Sequence, residues 1–241
     1  MTPIKQPRLH CVFCGRTRKT TSDHVPPKCL FAKGARPSNM ITVRACGLCN
    51  MGSSGDDEYL RLVLAMNRES GAHPAARELW PAIIRSLGLP CKAGFRQRFF
   101  ACVRDVQILS KGGLILGTAK GLEIDTPRLN RIMAKIIRGL FWHEFHQRIP
   151  DSYEVLAFWV NSLRQSVAAA DLAQWIDGIR RLLTGSIEKR IGRGVFVYRC
   201  QHDPNEPLRS VWGLTFFGRI HVAALTESRT EVENMAGFHT R

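Results

Sequence analysis

At 241 residues, with 44% hydrophobic and 23% charged side chains, the chain is long enough to bury a substantial core, and it shows no internal repeat or low-complexity tract. Lysine and arginine number 35 against 20 aspartates and glutamates, a formal net charge of +15, which favours an anionic partner. No apolar run precedes residue 11 and no segment approaches the length of a bilayer span, so neither a signal peptide nor a membrane partner is expected, and the thiols point to a reducing, cytoplasmic setting.

In chain order, the spacing predicts a knuckle hairpin at about 9–16 and a short strand at 41–45 (ITVRA). A helix opening on Asp56, Asp57 and Glu58 runs through YLRLVLAMN, its acids placed where the free amides of a first turn favour them. A second helix is expected over 74–88, closed by Gly88 and Pro90, with a module boundary between Gly71 and Pro74. From residue 95, FRQRFFACVRDVQIL and LILGTAKGLEI read as paired strands about a Gly112-Gly113 turn. Thr126 as cap and Pro127 at the first helical position open a helix to about Gln147. Its face of Leu129, Ile132, Met133, Ile136, Ile137, Leu140 and Phe141 is apolar. Arg128, Arg131, Lys135 and Arg138 line the other side, read as a solvated surface with phosphate-backbone contact as the alternative. His143 and His146 read as helix-end caps rather than ligands.

A buried strand (YEVLAFWV) and a helix over 169–184 follow, the helix turning Leu172, Trp175, Ile176, Ile179, Leu182 and Leu183 inward. GVFVYRC, SVWGLTFF and RIHVAALT then predict sheet, with aromatics for the core, and the stretch from about 227 reads as frayed. The fold class is therefore α+β: a small metal-stabilised module over 1–70, then a larger mixed helix and antiparallel-sheet domain over 71–241.

The chemistry concentrates in residues 11–50. Cys11 and Cys14 (CVFCG) and Cys46 and Cys49 (CGLCN) are two Cys-x2-Cys hooks separated by 31 residues, a pattern that closes one tetrahedral zinc site. Cys29, Cys91, Cys102 and Cys200 stand in unpaired contexts and read as ordinary thiols. Between the hooks lie Asp23-His24 (SDHVPP) and Asn39, and Asn50 follows the last cysteine. A histidine can deprotonate water near neutral pH, while Asp23 and Asn50 offer hard oxygens of the kind magnesium or manganese accepts. Nine of the basic residues and one acid, Asp23, fall within residues 1–50, a basic rim suited to phosphate.

This stretch resembles the HNH endonucleases, ββα-metal nucleases, in their four-cysteine zinc variant. DHVPP is similar to the family's Asp-His-x-x-Pro segment, and SNMITVRACGLCN to its Asn-Leu-x-x-x-Cys-x-x-Cys-His/Asn segment. The resemblance implies His24 as general base, Asp23 and Asn50 as ligands of a catalytic cation, and Asn39 as the brace of the base loop. It covers about a fifth of the chain. It departs after Asn50, where the family runs into a basic helix and this chain continues MGSSG. The expectation is a metal-dependent endonuclease acting on nucleic acid, DNA ahead of RNA, with a protein or ligand trigger conceivable through residues 71–241. The alternative is a non-catalytic, zinc-stabilised nucleic-acid-binding regulator.

Overall fold

Gly15 sits in the left-handed region at φ +69°, where a side chain would be strained, and its N–H returns to the Cys11 carbonyl at 2.8 Å. That turn makes the first hook a knuckle between two short strands, β1 (Leu9–His10) and β2 (Thr17–Arg18). The computed structural model describes residues 9–110, 112–160 and 169–238.

Strands β3 (Thr20–Val25) and β4 (Ile41–Cys46) pair antiparallel, with Asp23 opposite Val43 and His24 opposite Thr42. Burial alternates along β4, so Ile41, Val43 and Ala45 face the core. The strand runs directly into α1 (Gly47–Met51), and α2 (Ser54–Met66) follows after a tight Gly52-Ser53 link. Helix α2 buries Tyr59, Leu60, Leu62, Val63, Leu64 and Ala65, so apolar residues occupy nearly its whole circumference and it lies in the middle of the molecule. Each fully buried leucine there contributes about 1.5–3 kcal/mol.

Two expected elements require correction. The segment 74–88 is two helices, α3 (Pro74–Arg77) and α4 (Trp80–Gly88), because Pro81 has no N–H to continue a helix from upstream. Residues 95–101, expected as strand, belong to α5 (Ala93–Ala101). Phe95 and Phe99, four apart, stack at 6.1 Å, and Phe99 meets Tyr59 edge-on at 5.9 Å, so the aromatic spacing serves a helix. The strand pair survives in shortened form as β5 (Val103–Leu109) and β6 (Ile115–Leu122), an outlying hairpin whose side chains are mostly exposed.

Helix α6 (Thr126–Phe145) buries the predicted apolar face against α2 and β3. Its cap is Asp125, one residue before the expected Thr126: the Asp125 carboxylate accepts from the Arg128 N–H at 2.9 Å. A Cβ added at Gly139 would come within 2.5 Å of a Val25 methyl, so α6 approaches β3 through a gap only glycine allows. Gly139→Ala is expected to destabilise by about 1–2 kcal/mol, the overpacking cost exceeding alanine's helix preference, and a raised melting temperature would contradict this contact.

The remainder is a five-stranded antiparallel sheet in the order β7-β11-β10-β9-β8. Its strands are β7 (Tyr153–Trp159), β8 (Lys189–Ile191), β9 (Phe196–His202), β10 (Ser210–Phe216) and β11 (Ile220–Ser228). Strand β7 forms an edge and is mostly half-buried rather than enclosed. Phe196, Tyr198, Trp212, Phe216 and Phe217 are buried, as core packing requires. Helix α7 (Ala169–Leu182) buries Leu172 but leaves Leu182, expected inward, 56% exposed. Past residue 227 the expected fraying is also corrected: β11 continues to Ser228, Glu227 accepts two bonds from Arg209 at 2.8 and 3.1 Å, and α8 (Arg229–Phe238) follows. One connected set of buried side chains runs from Val12 through α2 and α6 to Ala224. Among the described residues no helix is long and apolar enough to cross a membrane.

Candidate metal centre and adjoining cleft

The knuckle and the β4–α1 junction bring the sulfurs of Cys11, Cys14, Cys46 and Cys49 within 4.8 Å of one another, and this cluster could hold a structural metal ion. Cys11 and Cys46 are buried, and the Cys46 N–H donates to the Cys11 sulfur at 3.3 Å. The Cys49 backbone brings Cys46 down to about 7 against the opposing push of burial, while burial and the crowding thiols raise Cys49. Four thiols this close compete for protons, a condition a bound cation relieves by taking thiolates.

Behind the cluster, β3, α1 and α2 enclose a cleft of about 590 Å³ that includes Asp23, His24, Lys28, Asn50, Asp57 and Arg61 in its lining. The sequence-predicted Asp23, His24 and Asn50 thus share one cavity. Asn39 does not join them: its amide donates to the Arg190 carbonyl at 2.9 Å, tying the segment before β4 to β8. The MGSSG stretch holds Asn50 in place, since the Ser53 hydroxyl donates to the Asn50 and Cys49 carbonyls at 3.0 and 3.2 Å. The Asn50 amide nitrogen donates in turn to Thr21 Oγ1 at 2.9 Å and the Ser22 carbonyl at 3.3 Å.

Burial, then Lys28, lower the His24 imidazole below its usual value; Asp23 opposes them and Arg36 adds to them. That direction favours the neutral imidazole, the form able to accept a proton. Asp23 is 7% exposed. Its Oδ1 accepts from the His24 N–H at 2.9 Å, and its Oδ2 lies 2.7 Å from Lys135 Nζ without hydrogen-bond alignment.

Sequence reasoning missed one member of this site and ranked another second. Asp57, read first as a helix-dipole acid and otherwise, with Asp56, as the next ligand should Asn50 fail, lines the cleft with a buried Oδ1 that accepts no hydrogen bond, and burial pushes it up to about 6, with Lys135 opposing and Asp23 and Asp56 reinforcing. Lys135 was assigned to a solvated stripe, and it reaches inward instead. The stripe as a whole is corrected: Arg128 pairs with Asp56 at 2.7 Å, and Arg138 donates to the Ile149 and Tyr153 carbonyls at 2.7 and 3.1 Å, while Arg131 remains exposed. The first-turn acids of α2 divide three ways, since Glu58 is held below the usual carboxylate range: Lys92, Ser86 and Arg61 together outweigh the upward push of burial. His143 and His146 are exposed, and His146 ends α6 in the left-handed conformation with its N–H on the Trp142 carbonyl. Compared with known proteins, the chain matches no family model, no curated protein and no solved structure.

Proposed function

We propose that the chain is a metal-dependent endonuclease of the HNH kind, with residues 1–70 cleaving nucleic acid, DNA ahead of RNA, and residues 71–241 holding or choosing the substrate. The observation that carries this reading is the shared cleft of Asp23, His24 and Asn50 beside the four-cysteine cluster, at the junction of an antiparallel hairpin and a helix. Zinc suits the cluster: bonds of about 2.3 Å to a tetrahedral ion set sulfurs about 3.8 Å apart, and Cys14 and Cys46 stand at 3.8 Å.

In the cleft, neutral His24 would take a proton from the attacking water, with Lys28 and Arg36 flanking it as phosphate partners. Asp23 and Asn50 are hard donors that would hold magnesium or manganese, and the buried Asp57 oxygen that accepts no hydrogen bond fits such an ion as well. When bound, the ion would neutralise charge developing on the phosphate and its leaving oxygen. One observation favours the alternative, a non-catalytic zinc-stabilised nucleic-acid-binding module: Asp23 already has a cationic neighbour in Lys135.

Purified protein incubated with supercoiled plasmid across magnesium, manganese and nickel separates the two readings, with His24→Ala as control. Cleavage by the parent alone supports the nuclease; equal cleavage by both, or by neither, overturns it at this site. On either reading, exposed Arg16 and Lys19 should engage phosphates. Arg16→Ala or Lys19→Ala is expected to weaken binding to all duplex sequences alike and to lower the salt slope by about one. Salt-independent binding in a filter or anisotropy titration would contradict this.

A further inference from the structure

Lys135 comes from α6, outside the segment that carries the hooks, and its ammonium ends among the cleft residues. Nζ lies 2.7 Å from Asp23 Oδ2, bonds to Ser53 Oγ and stands 5.2 Å over the Phe13 ring. The side chain is only 18% exposed. Lys135, His24 and Asp57 also line a small void of about 10 Å³ beside the larger cleft, and the Lys135 charge acts on the Asp57 carboxylate as well. Asp23 is more than nine-tenths buried, and neither its Oδ2 nor Asp57 Oδ1 accepts a hydrogen bond. A buried carboxylate normally satisfies its oxygens with donors, yet the Lys135 ammonium, which bonds Ser53 and stands against Asp23, leaves both of these oxygens without an aligned hydrogen bond. With Arg61 committed to Glu58, that one ammonium offsets one of the two carboxylates, whereas a divalent ion would offset both.

We propose that Lys135 is the resident cation of the Asp23–Asp57 pair, and that a divalent ion binds with Asp57 as an added ligand by displacing it. This rests on the cation site of the proposed nuclease and deepens it. It makes α6 part of that site, so that ion entry requires the Lys135 side chain to leave the carboxylates. The Asp23–Lys135 contact is then the pairing that the ion would displace.

The test is a manganese titration of the full-length, zinc-loaded protein, read by electron paramagnetic resonance of the free ion, on the parent and three variants. Lys135→Gln should bind manganese roughly ten- to a hundredfold more tightly than the parent, since a competing unit charge a few ångströms away is removed. Arg131→Gln removes the same charge from an exposed position on α6 and should leave the affinity unchanged. Asp57→Asn should weaken binding by about tenfold or more. Unchanged circular dichroism and zinc content in each variant establish that the fold is intact.

If Lys135→Gln binds no more tightly than the parent, or Arg131→Gln tightens equally, displacement is overturned. Unchanged affinity in Asp57→Asn overturns its role as ligand. Absence of manganese binding in both the parent and Lys135→Gln overturns the whole proposal. Failure of the nuclease reading is separately visible, as an intact plasmid in a protein that still shows this order of manganese affinities.

Discussion

His24→Ala should leave folding, metal content of the cysteine cluster and substrate binding unchanged, while plasmid cleavage falls by about a hundredfold to ten-thousandfold, the usual cost of removing a general base. The ring is partly exposed on β3 and its described role in packing is small, so truncation leaves Asp23 Oδ1 bonded to the same backbone N–H. Asp23→Ala should fail for a different reason. On the proposed reading it removes a cation ligand, and it leaves Lys135 without its ion-pair partner, so high manganese should restore part of its activity and none of that of His24→Ala. Asn50→Ala is the sharper variant. Its amide ties α1 to β3 through Thr21 and Ser22, so a stability loss of about 1 kcal/mol is expected along with weaker cation binding. Cleavage by His24→Ala at the parental rate would transfer the assignment to the binding-module reading.

The largest stability effect is expected at the cysteines. Structural zinc contributes about 10 kcal/mol or more of apparent binding energy at neutral pH, comparable with the entire stability of a small domain. Cys46→Ser removes a thiol that is 2% exposed, at the strand end that leads into α1, so solvent has little access to take its place in the cluster. Elemental analysis should find one zinc per chain in the parent and none in Cys46→Ser, and a strong chelator should abolish the cooperative melting of the parent. Zinc-free parent protein, or a Cys46→Ser variant of unchanged stability, would remove the metal from this cluster.

The hooks, β4, most of α6 and the C-terminal strands were legible because each carries its signal within a few residues: paired thiols, alternation, helical spacing. The cleft was legible only where its residues adjoin the hooks. Asp57 ranked only as a substitute ligand because an acid in a first helical turn already has a sufficient local reason to be there. Lys135 escaped because a basic stripe opposite an apolar face looks the same in sequence whether water or a distant carboxylate receives it. The strand expected at 95–101 failed on aromatic content, which outweighed the four-residue Phe95–Phe99 spacing that a helix requires. Asn39 was found as a residue with a purpose, and its partner on β8 lay beyond any local pattern.

The seat of α6 against β3 sets a limit on how this protein can be divided. A fragment ending at residue 70 would retain every cysteine of the cluster, along with Asp23, His24 and Asn50. It would also lose the helix that covers Val25 through Gly139 and the ammonium that neutralises Asp23. Such a fragment would open an oily surface and an unbalanced negative charge at the same place. The hook-and-cleft segment is therefore not a portable cassette here. Grafting it onto another protein would require carrying α6 as well, or redesigning the surface that α6 shields.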